Sequence, residues 1–372
     1  MDNIDYVLLV FLIILNGNLV YLWFFALAGF FYKKPKSINF DKQHRFLILI
    51  PAFKSDKVLL NTVHIALKQE YPKEYFHIMV GADELQENTI TKLENCGVEV
   101  VRIPQGINKK GFALQQMLSI KNDYDYAVVL DVDNIIEVDF LKRVNQYINP
   151  DKAQVFQTHR KALNTDTPLA LLDALSEEVN NHIFRKGHRA VGLPSALIGS
   201  GMVLPFHLFK NWSNNLNTVV EDKELELIII EQKIGIEYLC DINVLDEKTR
   251  DVEGLARQRQ RWVSGQFLVF KLFFAQSIKY LFKGNFAYFE KVLQSALLPR
   301  ILVPAGFSFL VLVSLLFHLT IFLLSLKSLF LSILLFAVLC PPYLRKRFNK
   351  DIIKILPKLV WIYVLNMFKL NK

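Results

Sequence analysis

Asp131-Val132-Asp133 follows an apolar run, and YAVVLD at 126–131 ends on the first of its acids. Alternate residues on an extended chain point the same way, so both carboxylates can face one ligand. Two hard oxygen ligands suit Mg²⁺ or Mn²⁺, which bridges nucleotide phosphates while keeping waters. Surface turns carry the same tripeptide, so its position after a buried strand is what gives it weight. Asp83 ends a second apolar run inside Gly81-Ala82-Asp83-Glu84. It can accept hydrogen bonds from a base or ribose, or sit in a solvated turn. Lys110-Gly111 opens a helical stretch, where a lysine can meet an anionic ligand with help from the helix N-terminus or stay a surface residue beside Lys109. Gly199-Ser200-Gly201 is either a tight turn or a place where a flat ligand comes close. Glu221-Asp222 precedes KELELIIIEQK. Acids there complement a helix dipole, and one of them can equally act as a general base. Gln258, Arg261 and Trp262 fall on neighbouring helix faces by their three- and four-residue spacing. A guanidinium clamps a diphosphate in two-pronged fashion and an indole gives a sugar ring a platform. A basic patch anchored by tryptophan at a membrane surface fits the same residues.

The elements that must position these groups alternate. Strands fit 45–52, 75–82, 98–103 and 126–131, with helices at 56–69, 86–95 and 110–121. This order predicts βαβ units on a mostly parallel central sheet, with ligands beyond the carboxyl ends of the strands. Neither GxGxxG nor GxxxxGK[ST] occurs, so dinucleotide and P-loop fingerprints are missing. Cys96, Cys240 and Cys340 lie far apart, which argues against a disulfide framework and a cysteine zinc site.

The chain has 372 residues, 52% of them hydrophobic, and a net charge of +9. Its apolar residues are concentrated in blocks. Residues 6–31 are nearly all apolar, with Asp2 and Asp5 before them and Lys33, Lys34 and Lys36 after them. That pattern predicts an uncleaved anchor at 1–32 followed by a cytoplasmic domain at 40–264. Residues 265–298 have the composition of interfacial amphipathic helices. Ile301–Leu344 suits two spans turning near Ser325–Ser328, a hairpin at 299–345 flanked by Arg300 and Arg345-Lys346-Arg347. The basic 346–372 segment reads as a further interfacial helix or a short span. The basic residues interleave with these anchors, so the expected partner is the anionic leaflet of the inner cell membrane rather than nucleic acid.

Taken in order, the motifs resemble the membrane-bound family 2 glycosyltransferases, the group of cellulose, chitin and hyaluronan synthases and smaller bacterial relatives. The resemblance covers residues 45–265 and rests on Asp131 and Asp133, the Glu221-Asp222 pair, and Gln258, Arg261 and Trp262. It implies a GT-A fold, a nucleotide-diphosphate sugar donor such as a UDP-sugar, a divalent metal, and inversion at the anomeric carbon. By that resemblance Ala52, Phe53 and Asp83 hold the nucleoside, while Asp131, Gln258 and Arg261 meet the donor diphosphate; Lys110 joins them as a donor contact on the reading of its helix-start position alone. Asp131 and Asp133 hold the metal. Asp222, ahead of Glu221, deprotonates the acceptor hydroxyl. Gly199, Ser200, Gly201 and Trp262 take the acceptor, a glycan or a lipid-linked sugar. Relatives begin PAYNE, whereas Pro51-Ala52-Phe53-Lys54-Ser55-Asp56 stands here, which moves the acidic contact to Ser55 or Asp56. The expected activity is hexosyl transfer in polysaccharide synthesis. Single transfer to a lipid-linked acceptor is the alternative, and a non-enzymatic membrane scaffold is the alternative of another class. So few spans make a poor polymer channel, so export would need partner proteins.

Overall fold

A computed structural model describes residues 3–38, 42–107, 109–149, 152–315 and 318–368. Asp2, the boundary expected at 40, and residues 369–372 lie outside them. The chain divides into two units. One comprises 33–163 and 192–247; the other comprises 1–32, 164–191 and 248–372.

The first unit is built on an eight-stranded sheet. Its strands are β1 (Phe46–Phe53), β2 (Phe76–Asp83), β3 (Glu99–Arg102), β4 (Tyr126–Val129), β5 (Asn134–Ile136), β6 (Val155–Ala162), β7 (Met202–Pro205) and β8 (Ile236–Asp246). The spatial order is β3-β2-β1-β4-β7-β6-β8-β5. β1 lies between β2 and β4 and is parallel to both. Its side chains serve two cores. Phe46, Ile48, Ile50 and Ala52 pack with Leu59 and Val63 on one face. Leu47 and Leu49 pack with Met79, Met117 and Leu118 on the other. A strand covered on both faces must be apolar at every position, which is why this one reads as a continuous run. Full burial of each such side chain contributes about 1.5–3 kcal/mol.

The mostly parallel sheet expected from the sequence is corrected to a mixed one. β7 runs antiparallel to both β4 and β6, and β5 runs antiparallel to β8. The physical reason is the route of the chain. After Ala162 it leaves for residues 164–191, which belong to the other unit, and β7 then enters beside β4 in the reverse direction.

The second unit is helical. The Asn3–Gly29 helix buries Leu8, Leu12, Leu15, Leu19, Leu22 and Ala26, a stripe at three- and four-residue spacing. Its opposite face exposes Val7, Val10, Ile14 and Phe24, so it is apolar all round, as buried and membrane helices are. The polar interruption is satisfied locally: Asn16 and Asn18 donate to the carbonyls of Leu12 and Ile14. The expected turn near Ser325–Ser328 is not a turn. Both serines lie inside the Leu319–Leu339 helix, and Ser328 donates to Asn16 at 2.8 Å. Small hydroxyl residues permit close helix approach, which here outweighs their turn preference. The helix before it, Leu302–Ser314, has 13 residues, short of the roughly 20 a full span needs. Among the described residues, Asp5–Gly29 and Leu319–Leu339 are long and apolar enough to cross a membrane, by length and composition only. The QRQRW segment and the aromatic stretch after it form one helix, Val252–Phe282. Residues 350–368 are helical too, and Leu359 packs with Leu169 and Leu255.

Candidate active site

The carboxyl ends of β1 and β2 turn in the same unusual way. Lys54 and Glu84, the residues just beyond them, have φ of 48° and 53°. Left-handed backbone costs a non-glycine residue about 1–2 kcal/mol. An ion pair of 3.1 Å between the two side chains and a hydrogen bond from Lys54 N–H to the Asp83 carbonyl hold the pair of turns. Between them Asp83 is buried, and among the described residues its Oδ1 has no hydrogen-bond partner. Burial, and then the nearby Glu84 carboxylate, push its pKa up. A bare buried carboxylate oxygen at a strand end is an acceptor awaiting a donor. Ala52 pairs with Ala82, and Phe53, beside Asp83, is substantially exposed. Asp56 is committed differently: its Oδ1 accepts from Gln86 N–H at 2.9 Å, and a hydrogen bond from Thr89 holds its pKa low.

β4 stops at Val129, so Asp131 and Asp133 sit in the turn after it rather than on extended chain. Lys110 begins the Lys110–Ile120 helix, and its Nζ donates to Asp131 Oδ1 at 2.5 Å and to the Gly199 carbonyl at 2.7 Å. It also lies 3.7 Å from Glu221 Oε1. Burial opposes its charge, but Asp131, Glu221 and Asp222 prevail and hold its pKa above the usual lysine value. One ammonium thus joins the DxD turn, the glycine turn and the acidic pair.

The glycine turn is fixed by sterics and by buried polar groups. Gly201 has φ of 65°, and a Cβ there would lie 2.3 Å from Thr158 Oγ1. Ser200 is buried, and its Oγ accepts from Asp131 N–H at 3.0 Å. Gln157, fully buried on β6, donates to the Ser200 carbonyl and accepts from Ile198 N–H. Glu221 and Asp222 open the Glu221–Glu231 helix as expected. Burial raises the pKa of Glu221, with Lys110 opposing. Asp222 Oδ2 would lie 3.9 Å from a Cβ at Gly199. Glu224 Oε2 accepts from Asn217 N–H, Thr218 N–H and the Thr218 hydroxyl, which pins the loop ahead of the pair. Gln157 and Glu224 are supports the sequence did not reveal, because a buried polar residue on a strand or helix has no distinguishing pattern.

Asp133 has its pKa pushed up to about 6, first by burial and then by the Asp246 and Asp131 carboxylates. Asp246 is itself buried and held by Arg160 at 3.0 Å. Among the described residues no group of three or more His, Cys, Asp or Glu side chains could hold a metal ion. A cage made by protein alone is therefore not what these residues offer. Two close carboxylates, one destabilised by its neighbours, fit a cation whose other ligands come from phosphates and water.

Gln258, Arg261 and Trp262 belong to the helical unit, on the Val252–Phe282 helix. Arg261 is exposed, and the guanidinium over the Trp262 ring is that of Arg259, 4.2 Å from the centroid. Gln258 Oε1 is buried with no hydrogen-bond partner among the described residues.

A profile of the family described as "Glycosyltransferase like family 2" matches residues 44–265. Mannosyltransferase PcManGT from Pyrobaculum calidifontis, in complex with GDP-Man and Mn2+, aligns at TM-score 0.56 and 11% identity, over 97% of this chain and 96% of that one. Residues 1–349 of S. aureus TarS, in complex with UDP-GlcNAc, align at TM-score 0.41 and 15% identity, over 56% of this chain and 59% of that one.

Proposed function

The chain belongs to glycosyltransferase family 2, and from that premise we propose that it transfers one sugar from a nucleoside-diphosphate sugar to a hydroxyl of a glycan or lipid-linked acceptor at the cytoplasmic face of a membrane. The enzyme class and the GT-A-like α/β fold with its mixed sheet stand on the family match and the structural likeness. The donor, acceptor and location are the proposal. One observation carries it: Lys110 gathers Asp131, Gly199 and Glu221 into one cluster beyond the end of β4.

In this reading the unpartnered Asp83 Oδ1 accepts from the base or ribose. Asp222 takes the acceptor proton as the acceptor oxygen bonds to the anomeric carbon from the face opposite the diphosphate. The carbon–oxygen bond to the diphosphate breaks in the same step, which inverts the centre. Lys110 meets charge building on the leaving group, a preorganised electrostatic effect. Asp131 and Asp133 would hold Mg²⁺ or Mn²⁺, which supplies further neutralisation of the diphosphate. The likeness to a mannosyltransferase with GDP-Man and Mn2+ supports both donor class and metal, and leaves uracil and guanine as competing bases. The Gly199–Gly201 turn takes the acceptor. Single transfer is favoured over polymerisation because just two of the described helices could cross a membrane. Any polymer would need separate export proteins.

The test measures nucleoside-diphosphate binding and sugar transfer in one preparation. Asp222→Asn should keep binding and lose about two orders of magnitude or more in transfer, the size expected for a lost general base. Normal transfer in Asp222→Asn with an inactive Glu221→Gln would move the base to Glu221. Normal transfer in both variants would end the mechanism.

A further inference from the structure

The Pro168–Asn180 helix of the helical unit carries a polar stripe at Asp173, Ser176, Glu177 and Asn180. Cations from four places in the chain converge on it. Arg259 reaches Asp173. Arg185, fully buried on the π-helical turn Asn181–Gly187, lies 3.2 Å from Glu177, and Lys248 lies 3.7 Å from the same carboxylate. Arg300 donates to Asn180 Oδ1 and, at 3.0 and 3.2 Å, to the hydroxyl and carbonyl of Ser176. It also lies over the Phe184 ring.

These cations are unequally served. Among the described residues Arg300 forms no salt bridge to a carboxylate, and every acceptor it reaches is neutral. Arg185 Nε is buried without a hydrogen-bond partner. Burial pushes the Arg300 pKa down to about 10; Tyr363 and Glu177 oppose the shift, and Arg259 and Arg185 add to it. A largely buried guanidinium whose hydrogen-bond acceptors are all neutral is costly unless an anion joins it. Arg300, Asn180 and Ser176 are all partly exposed, so the stripe is open to solvent at this end. Ile301 follows Arg300 directly and begins the apolar run of the Leu302–Ser314 helix. A ligand charged at one end and apolar beyond it matches that sequence of surfaces.

We propose that Arg300, with Arg185 behind it and Asn180 and Ser176 beside it, binds a phosphate group, and that the phosphate is the headgroup of a lipid-linked acceptor. The naming of the lipid as acceptor rests on the transferase reading above; the phosphate site does not. Guanidinium groups suit phosphate because their paired N–H donors match two oxygens at once.

The full chain in detergent is titrated with farnesyl phosphate, farnesol and inorganic phosphate, and nucleoside-diphosphate binding is measured alongside. Farnesyl phosphate should bind saturably and farnesol should not. Arg300→Gln should weaken farnesyl phosphate about 10- to 100-fold, the loss expected for charge-assisted hydrogen bonds, while Arg300→Lys recovers part of it. Asn180→Asp keeps the guanidinium and gives it a carboxylate. It should weaken farnesyl phosphate at least as much, with an unchanged or higher thermal midpoint, an outcome misfolding cannot produce. Equal binding of inorganic phosphate would keep the phosphate site and overturn the lipid assignment. Wild-type affinity in Asn180→Asp, or no preference for farnesyl phosphate over farnesol, would overturn the site itself. Loss of nucleotide binding by the wild-type chain would count against the transferase reading and leave this one standing.

Discussion

Lys110→Met tests whether one ammonium holds the candidate site together. The substitution keeps the apolar stem and removes the charge. Asp131 then loses a 2.5 Å partner, and Glu221 loses a cation 3.7 Å away. Removing one partner of a buried pair costs about 3–5 kcal/mol. Here the Lys110 and Asp131 side chains are 23% and 30% exposed, so solvent screens part of the loss and about 2–3 kcal/mol is expected. For a domain of this size that lowers the thermal midpoint by roughly 4–12 °C. The pH dependence has a definite sign. Glu221 already has its pKa raised by burial, with Lys110 pulling it down. Without Lys110 it rises further, so the native variant binds more protons than the unfolded chain, and its stability improves as pH falls towards the ordinary carboxylate range. Thermal midpoints of wild type and variant at pH 7.5 and pH 5 read this directly. The gap should be wide at pH 7.5 and narrow at pH 5. No gap at pH 7.5, or an equal gap at both, would refute the counter-ion role.

Asp133→Asn should abolish stimulation of transfer by Mn²⁺. Because the wild-type carboxyl is raised to about 6, its ionisation costs stability as pH rises from the ordinary carboxylate range through 6, and the variant should gain on wild type above that window in thermal melts. Gly201→Ala should lose about 2–4 kcal/mol in a denaturant titration, combining left-handed backbone with a Cβ 2.3 Å from Thr158 Oγ1. Cys96 is exposed, and in intact cells an impermeant maleimide should leave it unlabelled until the membrane is opened; labelling from outside would reverse the proposed orientation.

The first half of the fold was legible because buried parallel strands carry an uninterrupted signal. β1 to β3 lie within one residue of their expected starts and ends, and β4 starts where expected. The second half was not. β6 reads VFQTHRKA, and its polar residues are buried through partners far along the chain, such as Gln157 with Ser200 and Arg160 with Asp246. No local pattern announces such pairs. Ser325 and Ser328 misled for the opposite reason: residues common in turns also fill tight helix contacts. At the site, the residue types were readable and their grouping was partly so. Lys110 looked like a group awaiting an anion, whereas Asp131 and Glu221 already surround it. The cation over Trp262 is Arg259 rather than the motif's Arg261, a helix-face detail that spacing alone does not decide.

The polar stripe on the Pro168–Asn180 helix also bears on synthesis and on truncation. Its carboxylates leave the ribosome long before two of their cations: Lys248 follows Glu177 by 71 positions (248 minus 177) and Arg259 follows Asp173 by 86. At about 5–20 residues per second the nascent helix waits roughly 4–17 s for Arg259. During that interval its acids must stay hydrated, or be shielded by a chaperone or an interfacial surface. A fragment ending near residue 247, cut to isolate the sheet unit, would carry the stripe without Lys248, Arg259 or Arg300. It would keep Glu177 with Arg185 but without Lys248, and leave Asp173 without Arg259. Deleting 164–191 as well, with a short linker from Leu163 to Gly192, is the cut that respects how the chain is shared.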